Sequence, residues 1–148
     1  MLYLGSDHRG FALKEEIKKF LSKKNILYQD LGNKILDPED DFVDFASLVA
    51  QKVQTEKEAR GIVICGSGVG VCIAANKYKN IRCGIATTKE MVHSAREHDD
   101  INILALSADI LSVEQVQEIV EEFLNTPFSS AEKYSRRIEK INKIEEQW

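Results

Sequence analysis

The chain has 148 residues, a length typical of one domain with its own hydrophobic core. Its 24 acidic and 20 basic residues give a formal net charge of -4, which argues against a nucleic-acid-binding protein, because such proteins are usually basic. Three cysteines with no secretory leader before them predict a reduced, cytoplasmic protein. The longest uncharged stretch, residues 61–76, is too short and too rich in glycine to span a membrane.

Five short apolar runs are predicted as strands: residues 2–4, 26–31, 61–65, 82–86 and 102–106. Each run is followed by a helical pattern, and one further helix comes last: residues 11–24, 42–53, 71–77, 89–97, 112–124 and 130–144. Thr87 or Thr88 is a candidate N-cap, and Ser112 with Gln115 forms a candidate capping box.

The regular alternation of strands and helices predicts an α/β fold, with a parallel sheet covered by helices on both faces. Ligands in such folds bind beyond the carboxyl ends of the strands. The residues that follow the strands are therefore the candidates for a site: Asp7 and His8, the segment 65–70, and Thr87 with Thr88.

The segment 62–70, IVICGSGVG, predicts a strand, a glycine loop and the start of a helix. Loop amides and a helix N-terminus attract anions, which makes the strand-end thiol of Cys65 a candidate base or nucleophile beside an anion site. Ser67 lies between two glycines, where its hydroxyl could donate to a carbonyl oxygen. The loop is neither a dinucleotide fingerprint, because Val71 replaces the last glycine, nor a P-loop, which needs Gly-Lys-Ser/Thr.

Each candidate residue also has a purely structural interpretation. Cys65 could simply be a packed strand-end cysteine, and Asp7 could cap a helix. His98 could offset a helix dipole, and Lys133 with Arg137 could form a solvated helix face instead of a phosphate clamp. Taken together, these groups favour metal-free proton transfer on a small anionic substrate, without a cofactor.

The chain resembles the ribose-5-phosphate isomerase B / galactose-6-phosphate isomerase family of sugar-phosphate isomerases. The resemblance spans nearly the whole length and is carried by five segments: GSDHRGF at 5–11, DFVDFA at 41–46, CGSGVG at 65–70, IAANK at 73–77 and REHDD at 96–100. It implies one Rossmann-like three-layer domain over residues 1–148, with a five-stranded parallel sheet. It also implies aldose–ketose isomerisation through a cis-enediolate.

The resemblance further implies a role for each candidate residue. Cys65 is similar to the base that moves a proton between C1 and C2, and Ser67 to the group that aids proton movement at the carbonyl oxygen. His98 is similar to the acid that opens the sugar ring, and Asp7 to its partner at the ring oxygen. The remaining substrate contacts implied are the loop residues Gly66, Gly68, Val69 and Gly70, together with His8, Asp99, Lys133 and Arg137.

Five positions depart from the family pattern. Lys133 and Asp109 stand where arginines are common, Asp99 replaces an asparagine, and Phe42-Val43 replaces Tyr-Pro. Because Asp109 places negative charge near a phosphate, we expect weaker binding unless Arg9 or Arg136 compensates.

The expected substrates are ribose 5-phosphate and ribulose 5-phosphate. The alternatives are a hexose 6-phosphate, such as that of galactose or allose, and a sugar-phosphate-binding subunit without catalysis. The apolar stripe of the last helix, within residues 128–148, predicts packing on a partner subunit, and the family forms dimers or tetramers of dimers.

Overall fold

The computed structural model describes residues 1–147. The strands in this range are β1 Leu2–Ser6, β2 Tyr28–Asp30, β3 Arg60–Cys65, β4 Cys83–Ile85 and β5 Ile103–Ser107. The helices in the same range are α1 Phe11–Lys23, α2 Phe42–Thr55, α3 Val69–Ala75, α4 Lys89–Asp99, α5 Val113–Asn125 and α6 Glu132–Glu145.

The five strands form one parallel sheet in the order β2-β1-β3-β5-β4, which confirms the predicted α/β fold. After β1 the chain adds β2 on one side and then β3 on the other side. The strand order therefore reverses between β1 and β3, and this is where open α/β sheets bind ligands.

Both faces of the sheet are buried, as expected of parallel strands made of continuous apolar runs. Ile64 and Leu106 belong to the hydrophobic cluster that also contains the apolar residues of α1 and α5. Val63 and Ala105 point to the other cluster, which contains those of α2 and α3. The protein thus has the three helix–sheet–helix layers that the sequence predicts.

Several element boundaries differ from the sequence prediction. Strand β1 continues two residues further, to Ser6, and α3 starts at Val69, two residues earlier than expected. Helix α4 extends to Asp99, so that His98 and Asp99 are helical. The predicted caps are confirmed: the Thr88 side chain accepts a hydrogen bond from the Met91 amide, and the capping box at the start of α5 is complete.

Helix α6 contacts its own chain at both ends. Tyr134 stacks on His98 of α4, and the Glu145 carboxylate accepts a hydrogen bond of 2.8 Å from the Asn80 amide. Ile141 and Ile144 remain exposed, so the packing of α6 on a partner subunit stays a prediction. The last residue of the predicted interface segment, Trp148, lies outside the described residues.

No helix within residues 1–147 has the length and apolar character needed to cross a bilayer.

Candidate active site

The glycine loop places a backbone amide directly on the Cys65 thiol. Cys65 ends β3, and its Sγ accepts a hydrogen bond of 3.1 Å from the Gly68 amide. Gly68 has a φ of 77°, and a Cβ there would lie 3.1 Å from the Leu106 carbonyl. Only glycine fits this left-handed turn, and the turn directs the amide at the sulfur. Only 5% of Cys65 is exposed, which makes it a nearly buried group at the strand end.

The other residues of the loop are small or polar and lead into α3. Ser67 is exposed, and its Oγ accepts a hydrogen bond of 3.2 Å from the Val69 amide at the start of α3. Gly70 packs against the ring of Phe42, and a Cβ at position 70 would lie 2.8 Å from two ring carbons. This close contact explains why a glycine occurs inside the first turn of α3.

Asp7 follows β1 at the same edge of the sheet. Its amide donates to the carbonyl of Ile64, which places it beside the end of β3. The buried Asp7 carboxylate accepts a hydrogen bond of 3.0 Å from the Gly10 amide. Asp7 does not cap α1, whose N-cap is Gly10 without a side-chain hydrogen bond; one Asp7 oxygen instead fixes the turn before the helix.

His8 is held by a residue that the sequence interpretation did not select. Its backbone amide and its ring Nδ1 both lie 2.8 Å from Asp40 Oδ1. The hydrogen bond to Asp40 raises the pKa of His8 above its ordinary value of 6.5, and the negative charge of Asp7 adds to this increase. The only sequence signal for Asp40 is its position in the acidic run 37–41 before α2.

Arg9 and Asp109 form an ion pair above the loop. Arg9 Nη2 donates to Asp109 Oδ2 at 2.7 Å, and the pair lies so close to Gly66 that a Cβ there would meet Arg9 Nε at 2.4 Å. The Asp109 amide also donates to the Gly66 carbonyl at 3.0 Å. The negative charge of Asp109 is thus paired with Arg9, from the loop after β1. Arg136, the other cation expected to compensate for Asp109, pairs with Glu132 on its own helix.

A second group of predicted residues collects where α4 ends and α6 begins. The His98 ring stacks on Tyr134 with a centroid distance of 4.4 Å. Lys133 Nζ and the Arg137 guanidinium lie 4.7 and 5.8 Å from the centre of the same Tyr134 ring. We call His98, Lys133, Tyr134 and Arg137 the α4–α6 cluster. Asp99, next to it, is exposed.

The α4–α6 cluster does not share a sheet edge with Cys65. Helix α4 starts beyond the carboxyl end of β4 and runs back for 11 residues, or about 16 Å at 1.5 Å per residue. His98, near its end, is therefore displaced toward the amino edge of the sheet. Asp100, two residues on, lines a groove of about 940 Å³ at that edge together with Arg60 and Arg82.

The arginines of this groove already have partners in the fold. Arg60 donates to the carbonyls of Phe123 and Leu124, and Arg82 pairs with Asp100 at 2.7 Å. Arg60 and Arg82 are therefore tied to other elements of the fold, and neither is free for a substrate.

The other two cysteines lie where α3 meets β4, as their predicted packing role requires. The Cys72 thiol donates to the Cys83 carbonyl at 3.3 Å, and Cys83 is buried. Hydrogen bonds with the Cys83 thiol and Asn76 lower the pKa of Cys72 to about 7.

Within residues 1–147, no three His, Cys, Asp or Glu side chains are grouped so that they could hold a metal ion.

Comparison with known proteins places this arrangement in a class, the sugar-phosphate isomerases. The family model for ribose/galactose isomerases matches residues 2–141. A probable ribose-5-phosphate isomerase B of Mycoplasma pneumoniae is 42% identical over 140 residues, which cover 95% of this chain and 91% of that protein. Ribose-5-phosphate isomerase B of Mycolicibacterium paratuberculosis is 35% identical over 144 residues, covering 97% and 91%.

Solved structures agree with these sequence relatives. The crystal structure of ribose-5-phosphate isomerase B from Mycoplasma genitalium with bound ribulose-5-phosphate superposes with a TM-score of 0.95 at 38% identity, covering 99% of this chain and 97% of that one. The chain therefore belongs to the ribose/galactose isomerase family, and it is an isomerase of the ribose-5-phosphate isomerase B type.

Proposed function

We propose that this enzyme interconverts ribose 5-phosphate and ribulose 5-phosphate by metal-free proton transfer through a cis-enediolate. The observation that carries the proposal is the position of the Cys65 thiol. It accepts a hydrogen bond from the Gly68 amide at the edge of the sheet where ligands bind in such folds. The Mycoplasma genitalium enzyme, which has bound ribulose-5-phosphate, supports a five-carbon substrate.

In the proposed reaction, the Cys65 thiolate removes the proton from C2 of the open-chain aldose, and the thiol so formed exchanges its proton with solvent before it protonates C1 of the enediolate. The O2 proton moves to O1 with the help of the Ser67 hydroxyl, so that an aldehyde becomes a hydroxymethyl group and C2 becomes a carbonyl. The amides of the loop from Gly66 to Gly70 stabilise the enediolate oxygens as an oxyanion hole does.

We further propose that the complete site is shared by two chains. His98 acts as the ring-opening acid opposite Asp7, and Lys133 and Arg137 bind the phosphate together with His8. The course of α4 supports this arrangement, because His98 and Cys65 lie toward opposite edges of the sheet in one chain. A partner subunit that presents its α4–α6 cluster to Cys65 would complete the site.

Isomerisation in D2O tests the chemistry, and a panel of sugar phosphates tests the substrate. We expect one deuterium at C1 of ribulose 5-phosphate, back-exchange at C2 of recovered ribose 5-phosphate, and full activity in excess chelator. We also expect kcat/KM for ribose 5-phosphate to exceed that for allose 6-phosphate and galactose 6-phosphate. Higher kcat/KM for a hexose would overturn the substrate assignment, and product that gains no deuterium from solvent would overturn thiol-mediated exchange.

A further inference from the structure

Asp40 lies at the end of a chain of hydrogen bonds that starts in the interior of the protein. The fully buried Lys14 ammonium contacts both carboxylate oxygens of Asp30, at 2.9 and 2.8 Å, and the Asn33 carbonyl at 2.8 Å. The Asn33 side-chain amide donates to Asp40 Oδ2 at 3.0 Å, and Asp40 Oδ1 accepts a hydrogen bond from the His8 ring. A buried charge thus anchors the loop that carries Asp40.

The geometry leaves Asp40 little freedom. Its side chain is 7% exposed, and both carboxylate oxygens accept hydrogen bonds, one from Asn33 and the other from His8 twice. A carboxylate accepts only, so the ring Nδ1 of His8 must be the donor. The Nε2 atom on the opposite side of the ring has no hydrogen-bond partner within residues 1–147.

We propose that Asp40 is a positioning residue for His8, which it holds as an imidazolium with its Nε2–H available to the phosphate group of the substrate. This inference rests on the proposed function, in which His8 contacts the phosphate. An imidazolium gives that phosphate a charged hydrogen bond, whereas a neutral ring held in the same way gives only a neutral one. Asp40 would therefore determine both where the donor points and how far into the neutral range its charge persists.

The charges around His8 support this role. Asp40, from the loop before α2, and Asp7, which precedes His8, are the acidic groups that raise the pKa of His8. The neighbouring cation Arg9 is paired with Asp109. The side chain of His8 is 35% exposed, so a ligand has access to the ring.

The experiment is a pH titration of the His8 ring by NMR, in wild type and in Asp40→Asn, with the signal assigned through His8→Gln. We expect the pKa of His8 to fall in Asp40→Asn toward its ordinary value. Asp40→Glu, which keeps the charge, should restore much of the shift. Glu39→Gln is the matched control, because Glu39 is exposed and neighbours Asp40 in the chain. An unchanged His8 titration in a folded Asp40→Asn variant would overturn the proposal.

Kinetics give a readout that a structural defect would not mimic. At pH 7.5 we expect the KM of Asp40→Asn for ribose 5-phosphate to rise about tenfold with little change in kcat. A tenfold rise corresponds to the loss of about one charge-assisted hydrogen bond. At pH 6 the two KM values should lie closer together, because a larger share of His8 in Asp40→Asn is protonated as the pH falls. An equal KM defect at both pH values contradicts the charge role. If Asp40→Asn fails to fold, Asn33→Ala tests the same chain of contacts. We expect a smaller rise in KM for this variant, and an unchanged KM would contradict the proposal.

The NMR result is independent of turnover. If the enzyme failed to isomerise ribose 5-phosphate while the His8 pKa still depended on Asp40, the proposed substrate would be wrong and the positioning role would stand. The His8 ring signal, followed with added inorganic phosphate, then reports directly whether an anion binds there. Phosphate that moves the His8 signal in wild type but far less in Asp40→Asn supports the role, and an equal response in both contradicts it.

Discussion

The two parts of the candidate site are built in different ways. At the carboxyl edge of the sheet, buried strands fix the candidate groups through backbone contacts. The Gly68 amide donates to the Cys65 sulfur, and the Asp7 amide donates to the Ile64 carbonyl. In the α4–α6 cluster, the partly exposed His98 is held by a stacked ring on another helix. The groups proposed for proton transfer are thus fixed within one chain, whereas His98, Lys133 and Arg137 lie at the surface of two helices.

This difference predicts that the two places tolerate substitution differently. The thiol, the left-handed glycine and the strand ends depend on one another, because a change in one disturbs the packing of the next. Lys133 and Arg137 are exposed and lie against the Tyr134 ring, so replacing Lys133 by arginine should cost little folding free energy. We expect mutations at the two places to separate accordingly.

The largest effect is expected for Cys65→Ala. Loss of the base should lower kcat by about 10²–10⁴-fold, the usual contribution of general base catalysis, and should stop deuterium exchange at C2. Thermal unfolding followed by circular dichroism should show a folded protein, since one small side chain is lost. Cys72→Ala is the matched control and should retain activity. Deuterium exchange that survives in Cys65→Ala would remove Cys65 from the mechanism.

A mixture of two inactive variants tests whether the two parts come from different chains. Cys65→Ala and His98→Asn should each be nearly inactive. After co-refolding they should recover about a quarter of wild-type activity, because half of randomly formed dimers are mixed and each mixed dimer has one intact site. A mixture as inactive as its parents would contradict the shared site, provided that mass spectrometry of the intact assemblies detects mixed dimers.

The Arg9–Asp109 pair should produce a moderate effect on binding alone. Arg9→Gln is expected to raise KM roughly three- to tenfold if Arg9 replaces the missing phosphate arginine, and Asp109→Asn should lower KM by releasing the guanidinium. Both variants should keep kcat, because neither group touches the reacting carbons in the proposed mechanism. Arg136→Gln is the control on α6. KM values that stay at the wild-type level in both variants would show that Arg9 does not compensate.

The smallest effect concerns the attachment of α4. Hydrogen bonds from His93 and Thr126 lower the pKa of Glu122 from 4.5 to about 2, with Lys89 contributing less. Because the pKa in the folded protein is the lower one, the ionised carboxylate stabilises the fold above about pH 4.5, and this stabilisation is lost as the pH falls toward 2. Urea unfolding of Glu122→Gln should therefore depend less on pH in this window than wild type. An unaltered slope would show that the contact does not hold α4 in place.

Local sequence signals predicted most of the fold. Apolar runs of strand length gave the five strands, and Thr88 and Ser112 marked the starts of two helices, because capping is a local hydrogen bond between near neighbours. The prediction failed at the glycine loop, where α3 begins at Val69. Helix propensity argues against Gly70 in a helix, and only the packing of Phe42 on this glycine accounts for it.

The sequence alone determined the alternation of strands and helices, the strand-end thiol and the glycines that bend the chain toward it, since these depend on neighbouring residues. Only the tertiary structure decided that Asp40, 32 residues away, would hold His8, and that Arg9 would find Asp109 across 100 residues. It also decided that His98 would lie away from Cys65. Such pairings depend on which loops the sheet order brings together, and no local periodicity records that order.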